Sequence, residues 1–146
     1  GMNVIVYTRT VRENGETRFT DLDTLLKESD IVTLHCPLNA QSVDMMNAEA
    51  FAKMKDGAFF INTSRGGTVD ENALYDALSC GKLSGAAVDV LKKEPMSEDC
   101  PLDKAPNIII TPHTSWAPLT TRKRLLGIVE SNIEAFLKGA PQNKIV

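Results

Sequence analysis

The stretch AFFINTSRGG, residues 58–67, combines the two signals that decide the fold. Its first five residues form a short apolar run, which is typical of a strand buried in a parallel sheet. The polar residues and two glycines that follow end this strand and place side chains at its carboxyl end. Ligands of open α/β sheets bind outside the carboxyl ends of the strands, so functional residues are expected here.

Short apolar strands alternate with helical stretches along the rest of the chain. This pattern predicts an α/β fold with a parallel sheet that is covered on both faces. The predicted strands are residues 3–7, 31–35, 58–62, 84–90 and 108–111. The predicted helices begin near Thr20, after Asn47 and after Asp70, and the last covers residues 120–138. Apolar residues recur at helical spacing in this last helix, so one of its faces is expected to be buried.

The composition favours a globular protein that binds neither nucleic acid nor an anionic membrane surface. The chain has 146 residues, a formal net charge of -3 and a sequence pI of about 5.4, so it offers no basic surface to such partners. No apolar run approaches the length of a membrane span, and the first strand does not resemble the apolar core of a signal peptide. These observations predict a cytoplasmic location.

The three cysteines indicate a reducing compartment and no metal site. Cys36, Cys80 and Cys100 are odd in number and lack metal-ligand spacing, so they are interpreted as reduced, mostly buried thiols. His35 and Cys36 together also match a nucleophile and its base. Adjacent residues of a strand point to opposite faces, however, and this favours a structural interpretation of the pair.

Two further segments place ionisable residues after predicted strands, as Arg65 does in the first segment. They are DVLKKEP at residues 89–95, with Glu94, and TPHTSW at residues 111–116, with His113. Taken alone, each residue has a simpler explanation: a solvated loop arginine, a Glu-Pro turn and a structural histidine. Arg65 with its two glycines also matches an RGG nucleic-acid element, but a single copy in an acidic chain argues against that function.

Taken together and in this order, the three segments resemble the NAD(P)-dependent D-isomer-specific 2-hydroxyacid dehydrogenases. The tail from Trp116 to Asn143 is most similar to the glycerate dehydrogenase or hydroxypyruvate reductase branch. The resemblance implies that Arg65 binds the carboxylate of a 2-keto acid through paired charge-assisted bonds. It implies that His113 transfers a proton to the carbonyl oxygen and that Glu94 orients His113.

The resemblance also implies a cofactor site along the same strand ends. Asp89 is expected to contact the nicotinamide amide, and Trp116 either lines the substrate pocket or simply packs. The residues expected to contribute to cofactor binding are His35, Cys36 and Pro37 on the adenine side, together with Thr63 and Ser64.

Cofactor choice is predicted from the residues after the first strand. NAD enzymes of this fold place an acid there for the ribose hydroxyls, whereas this chain has Thr8, Arg9 and Thr10. Arg9 can pair with a 2′-phosphate, with the two threonines supplying hydroxyls, so NADP(H) is favoured over NAD(H). A solvated loop arginine before a polar turn is the alternative.

The sequence departs from the family in lacking the G-x-G-x-x-G turn and its strand, which are expected just before Met2. We therefore predict a partial Rossmann-type, doubly wound sheet without its first strand. Residues 1–118 are interpreted as an incomplete dinucleotide-binding domain, and residues 119–146 as a helix and tail that pack towards the substrate lobe in relatives.

This departure leads to predictions about assembly and activity. Removing a central strand leaves a gap of roughly 10 Å that no hydrogen bond crosses. The expected remedy is a homodimer or an oligomer that exchanges elements, and the chain alone is expected to be inactive. The alternative function is a noncatalytic nucleotide-binding or oligomerisation module.

Overall fold

A computed structural model of the chain describes residues 1–10 and 17–145. The chain divides into two compact units, Gly1–Pro112 and His113–Val146, and each is described by itself. The division of the chain at residue 118 stays a prediction.

The first unit is an α/β structure in which all paired strands are parallel. Its elements are β1 Ile5–Val6, β2 Arg18–Phe19, α1 Leu22–Glu28, β3 Ile31–Leu34, α2 Ala48–Lys53, β4 Ala58–Asn62, α3 Glu71–Ser79, β5 Leu83–Val88 and β6 Ile108–Ile110. Short 3-10 helices cover Gly66–Thr68 and Pro101–Lys104. Strands β3, β4, β5 and β6 form one sheet in that order, and β1 and β2 form another. The predicted α/β class with a parallel sheet is confirmed.

Side-chain caps explain where the three helices of the first unit begin. Asn47 accepts a hydrogen bond from the Ala50 amide at 3.0 Å, and Asp70 accepts one from the Asn72 amide at 3.0 Å. Asp21 accepts from the Thr24 amide at 2.8 Å, and this bond to the backbone lowers the pKa of the Asp21 carboxyl. Helix α1 is therefore capped by Asp21, one residue after the predicted start near Thr20, since a carboxylate binds the free amides of the first turn well.

The core of the first unit lies where β3, β4 and β5 pack against α2 and α3. Phe60 of β4 is fully buried, and its ring meets that of Phe51 of α2 edge to face at a centroid distance of 5.2 Å. Met46 and Leu74 are also fully buried. The apolar run of β4 is thus central to both the sheet and the core.

Some predictions about the elements are wrong in detail. Strand β2 was not expected, because two residues are too short to show an alternating pattern. The predicted strand 3–7 is reduced to Ile5–Val6. The thiols are not mostly buried: Cys100 is buried, Cys36 is half-buried and Cys80 is exposed. Cys80 follows the last residue of α3, a position that commonly faces solvent.

The second unit consists mainly of α4, Leu119–Leu137. Gly139 follows it with a φ of 72°, which fits the predicted stop because glycine tolerates the left-handed conformation. No residue of α4 is buried, and the burial of one of its faces stays a prediction. No helix of residues 1–10 and 17–145 is long and apolar enough to cross a membrane.

Candidate active site

The segment after β4 is organised by Asn62, which is completely buried. Its side-chain amide donates to the Arg65 carbonyl at 3.1 Å, and its side-chain oxygen accepts from the Ser64 amide at 3.0 Å. The Thr68 hydroxyl donates to the same Arg65 carbonyl at 2.6 Å. The backbone around Arg65 is therefore fixed from within, while the Arg65 side chain is exposed.

Gly66 brings the Arg65 segment against the loop that follows β5. A Cβ atom placed on Gly66 would lie 1.9 Å from the Leu91 carbonyl carbon and 2.4 Å from the Lys92 nitrogen. The two backbones are thus in direct contact, which only a residue without a side chain permits. Arg65 and the loop that carries Glu94 are neighbours for this reason.

The Glu94 loop is held by carboxylates from three parts of the first unit. Glu94 itself accepts a hydrogen bond from the Leu91 amide at 3.0 Å. Glu71, at the start of α3, accepts from the Lys92 amide at 2.7 Å, and the Lys92 ammonium pairs with Asp44. These contacts fix the loop that places Glu94 beside the Arg65 segment.

Asp89 lies at the carboxyl end of β5 and is 4% exposed. Its amide donates to the Asn62 carbonyl at 2.9 Å, and its carboxylate accepts a hydrogen bond from the Thr111 hydroxyl. A carboxylate this deeply buried needs donors around it. It lies at the strand end where the family resemblance implies a contact with the nicotinamide amide.

His113 and Trp116 belong to the second unit. His113 has a φ of 53°, an uncommon conformation for a residue with a side chain. The Trp116 indole donates to the His113 carbonyl at 2.9 Å, and the Trp116 ring is more than half exposed. This bond closes a short turn around His113.

The remaining predicted cofactor residues follow β1 and β3. Arg9, after β1, donates to the side-chain oxygen of Gln41, which lies beyond β3. The Thr33 hydroxyl and the His35 ring lie within hydrogen-bond distance, at 3.1 Å. The predicted residues that line a single cavity here are Thr8, Arg9, His35, Cys36 and Pro37. Thr10 and Thr63 are exposed and do not line that cavity, and neither does half-buried Ser64.

The arrangement presents a guanidinium, carboxylates and hydroxyls at the carboxyl ends of β4 and β5. A planar guanidinium binds a carboxylate through two parallel hydrogen bonds, so Arg65 is suited to an organic acid. Among the described residues, no group of three potential metal-binding side chains occurs.

Sequence reasoning missed the residues that support this site. Asn62, Glu71 and Asp44 received no role, although each fixes a loop that carries a predicted site residue. For Asn62 a signal was available: a polar amide that ends an apolar strand must find partners if it is buried. Glu71 and Asp44 gave no such signal, since both look like ordinary surface acids in the sequence.

Comparison with known proteins bears on the whole chain. The family model described as "D-isomer specific 2-hydroxyacid dehydrogenase, NAD binding domain" matches residues 1–115. A hydroxypyruvate reductase from Blautia hydrogenotrophica is 47% identical over 148 residues, which cover 99% of this chain and 46% of that protein. A glycerate dehydrogenase from Methylorubrum extorquens is 44% identical over 128 residues, covering 86% of this chain and 40% of that protein.

Solved structures give the same result. An acyclic imino acid reductase in complex with NADPH and D-Arg superposes with a TM-score of 0.88 at 32% identity, covering 99% of this chain and 46% of that one. The D-lactate dehydrogenase of Aquifex aeolicus, complexed with NAD and lactic acid, superposes with a TM-score of 0.78 at 35% identity. The match covers 96% of this chain and 47% of that one.

The chain spans about half the length of the relatives that it matches. The match of the family model covers most of this chain and includes Arg65, Glu94 and His113. Residues 1–115 match the NAD-binding domain of this family, and the chain therefore belongs to the D-isomer-specific 2-hydroxyacid dehydrogenase family.

Proposed function

We propose that this chain is part of an oxidoreductase that transfers a hydride between a nicotinamide cofactor and a small 2-keto or 2-hydroxy acid, of the glyoxylate or hydroxypyruvate kind. The observation that supports this most directly is the contact at Gly66, which holds the Arg65 segment against the Glu94 loop. An anion-binding fork and a carboxylate are thereby kept at neighbouring strand ends.

Each proposed site residue has a defined task. Arg65 binds the substrate carboxylate and so selects the face of the carbonyl that is presented for reduction. His113 supplies the proton that the carbonyl oxygen needs when it becomes a hydroxyl, and Glu94 orients the imidazole. Trp116 contributes an apolar wall to the substrate pocket.

The residues at the strand ends fit a nicotinamide cofactor. Asp89 is a buried carboxylate at the end of β5, and the family resemblance gives it a contact with the nicotinamide amide. When bound, the cofactor supplies or accepts the hydride. Thr63 and Ser64 complete the cofactor side next to Asn62, and His35, Cys36 and Pro37 line the cavity beyond β3.

We also propose that NADP(H) is preferred over NAD(H). The Arg9 guanidinium is exposed after β1 and is oriented by its hydrogen bond to Gln41. It is thus a pre-positioned partner for a 2′-phosphate, with hydroxyls from Thr8 and Thr10 nearby in sequence. If Arg9 binds the 2′-phosphate, Arg9→Ala should remove the preference for NADPH over NADH. Gln41→Ala should reduce this preference only in part. Retention of the preference in Arg9→Ala would contradict the proposal.

The test of the function is a chimaera of this chain with the remaining part of the hydroxypyruvate reductase relative. We expect the chimaera to reduce hydroxypyruvate or glyoxylate and the chain alone to show no turnover. Arg65→Lys should lower kcat/KM about a hundredfold or more, because lysine cannot make the paired bonds. A folded chimaera that binds nucleotide but never turns over would instead support the noncatalytic nucleotide-binding alternative.

Assembly and location form part of the same proposal. Several large apolar side chains of α4 are exposed, among them Leu126, Ile133 and Leu137, which supports a homodimer or an oligomer that exchanges elements. Three free cysteine thiols support a cytoplasmic location. Sedimentation of the chain as a dispersed monomer would contradict the assembly.

A further inference from the structure

Three hydrogen-bond donors converge on one backbone oxygen, the carbonyl of Arg65. They are the Asn62 side-chain amide at 3.1 Å, the Thr68 backbone amide at 3.2 Å and the Thr68 hydroxyl at 2.6 Å. A carbonyl oxygen has two lone pairs, so the two amides alone would satisfy it. The hydroxyl makes the shortest of these bonds, although the carbonyl does not need it as a partner.

The Thr68 hydroxyl is presented from a well-anchored part of the core. Thr68 is completely buried, and its own carbonyl accepts a hydrogen bond from the Met46 amide at 3.0 Å. Met46 is also completely buried, and its carbonyl accepts from the Asp70 amide at 3.0 Å. A parallel bridge joins Met46 to Val69, the residue after Thr68. The backbone that carries the hydroxyl is therefore fixed independently of Arg65.

Both peptide groups that flank the Cα atom of Arg65 are restrained. The Ser64 carbonyl accepts from the Arg65 guanidinium at 2.7 Å, and the Ser64 amide and hydroxyl donate to the Asn62 side-chain oxygen at 3.0 Å and 2.9 Å. On the other side, Asn62 and Thr68 hold the Arg65 carbonyl. Because these two peptide groups set the direction of the Cα–Cβ bond, they aim the exposed side chain of Arg65.

A simpler explanation of the Thr68 bond is that it only satisfies a buried hydroxyl. Threonine hydroxyls commonly donate to a carbonyl three or four residues earlier in helical segments. Here, however, that carbonyl belongs to the residue that presents the guanidinium. Paired bonds to a carboxylate depend on placement, since an error of about 1 Å in a site can cost on the order of a hundredfold in rate. The two explanations predict different effects on the reaction.

We propose that Thr68 is a positioning residue for the Arg65 guanidinium, and through it for the carboxylate of the 2-keto acid. This inference rests on the proposed function, in which Arg65 binds that carboxylate. Thr68 has no contact with the substrate and acts only through the Arg65 carbonyl. Its loss should therefore impair the use of the organic acid and leave the binding of the cofactor unchanged.

Thr68→Val and Thr68→Ser test the proposal in the chimaera. Valine removes the hydroxyl and keeps the shape of the side chain, whereas serine keeps the hydroxyl. We expect Thr68→Val to lower kcat/KM for hydroxypyruvate about tenfold and Thr68→Ser to stay within about twofold of wild type. The KM for NADPH should change less than about twofold in both variants. An unchanged kcat/KM in Thr68→Val, or equal losses in the two variants, would overturn the proposal.

A double-mutant cycle shows whether Thr68 acts through Arg65. In the Arg65→Lys chimaera, which lacks the paired bonds, adding Thr68→Val should lower kcat/KM by less than about twofold. A further loss of about tenfold would overturn the proposal, because Thr68 would then act independently of Arg65. An inactive wild-type chimaera would contradict the proposed function and this inference with it. An active chimaera that is insensitive to Thr68→Val would contradict this inference alone.

The full chain gives a readout that does not depend on turnover. The ¹³C resonance of the Arg65 carbonyl should move in Thr68→Val and stay close to wild type in Thr68→Ser, since only valine removes a donor. Urea denaturation should show that Thr68→Val folds, because two amides still satisfy the carbonyl. An unmoved resonance would overturn the proposal. An unfolded Thr68→Val chain would also overturn it, since the hydroxyl would then be a requirement of folding.

Discussion

Gly66→Ala is expected to be among the most damaging small substitutions in the first unit. The added Cβ would lie 1.9 Å from the Leu91 carbonyl carbon and 2.0 Å from its oxygen, whereas ordinary contacts begin at 3.4 Å. The neighbouring backbone must therefore retreat by roughly 1.5 Å in a region packed as closely as a crystal. It cannot do so freely, because Glu94 accepts from the Leu91 amide at 3.0 Å and Glu71 accepts from the Lys92 amide at 2.7 Å.

The expected cost is about 3 kcal/mol of unfolding free energy or more, at the upper end of what overpacking causes. Equilibrium urea denaturation of the chain, followed by circular dichroism, measures it. Gly67→Ala is the matched control: its Cβ would meet the end of the Leu38 side chain at 2.9 Å, and that side chain can move. The control should lose less than about 1 kcal/mol.

The reasoning would be refuted if Gly66→Ala were as stable as Gly67→Ala. The prediction depends on the difference between backbone contact at Gly66 and side-chain contact at Gly67. In the active chimaera, Gly66→Ala should in addition lower kcat/KM, because the Arg65 segment and the Glu94 loop can no longer approach each other.

Three further predictions concern the core, a helix cap and the site. Phe60→Ala should cost about 3–5 kcal/mol of unfolding free energy in denaturation experiments. Phe59→Ala is the control, because that side chain is 50% exposed, and it should cost less than about 1.5 kcal/mol. Similar losses for the two variants would be inconsistent with this core. The hydrogen bonds from Thr24 lower the pKa of the Asp21 carboxyl below its ordinary value of 3.8. The ionised carboxylate therefore stabilises the fold above pH 3.8, and this stabilisation is lost as the pH falls through the lowered pKa. Wild type should thus exceed Asp21→Asn in stability at neutral pH but not in strong acid, and a difference that persists in strong acid would count against the cap. In the chimaera, Glu94→Gln should move the pH profile of keto-acid reduction downward, and an unchanged profile would leave Glu94 as a turn residue.

The elements of the first unit could be predicted because their signals are local. An apolar run bounded by polar residues identified β4, and the caps Asn47 and Asp70 identified the starts of two helices. The start of α1 was one residue off because Thr20 and Asp21 are both good caps and only the folded chain selects one. Strand β2 exists through its pairing with β1 and has no pattern of its own.

The candidate site could be predicted in part. The sequence predicted functional residues at the carboxyl ends of strands, and in the structure the bond from the Asp89 amide to the Asn62 carbonyl joins the ends of β4 and β5. The contact at Gly66 and the hold of Glu71 on Lys92 could not be predicted, since both arise from residues more than twenty positions apart. The roles of Arg65, Glu94 and His113 stay predictions that the chimaera can test.

The carboxylate that opens α3 has a consequence for protein engineering. Glu71 stabilises its own helix N-terminus and also restrains the backbone at Lys92, whose ammonium in turn engages Asp44. Recombination with a homologue inside residues 44–94 would therefore pair a loop from one parent with restraints from the other. Crossover points outside residues 44–94 should give functional hybrids more often than crossover points within them. These residues are therefore best taken together from one parent.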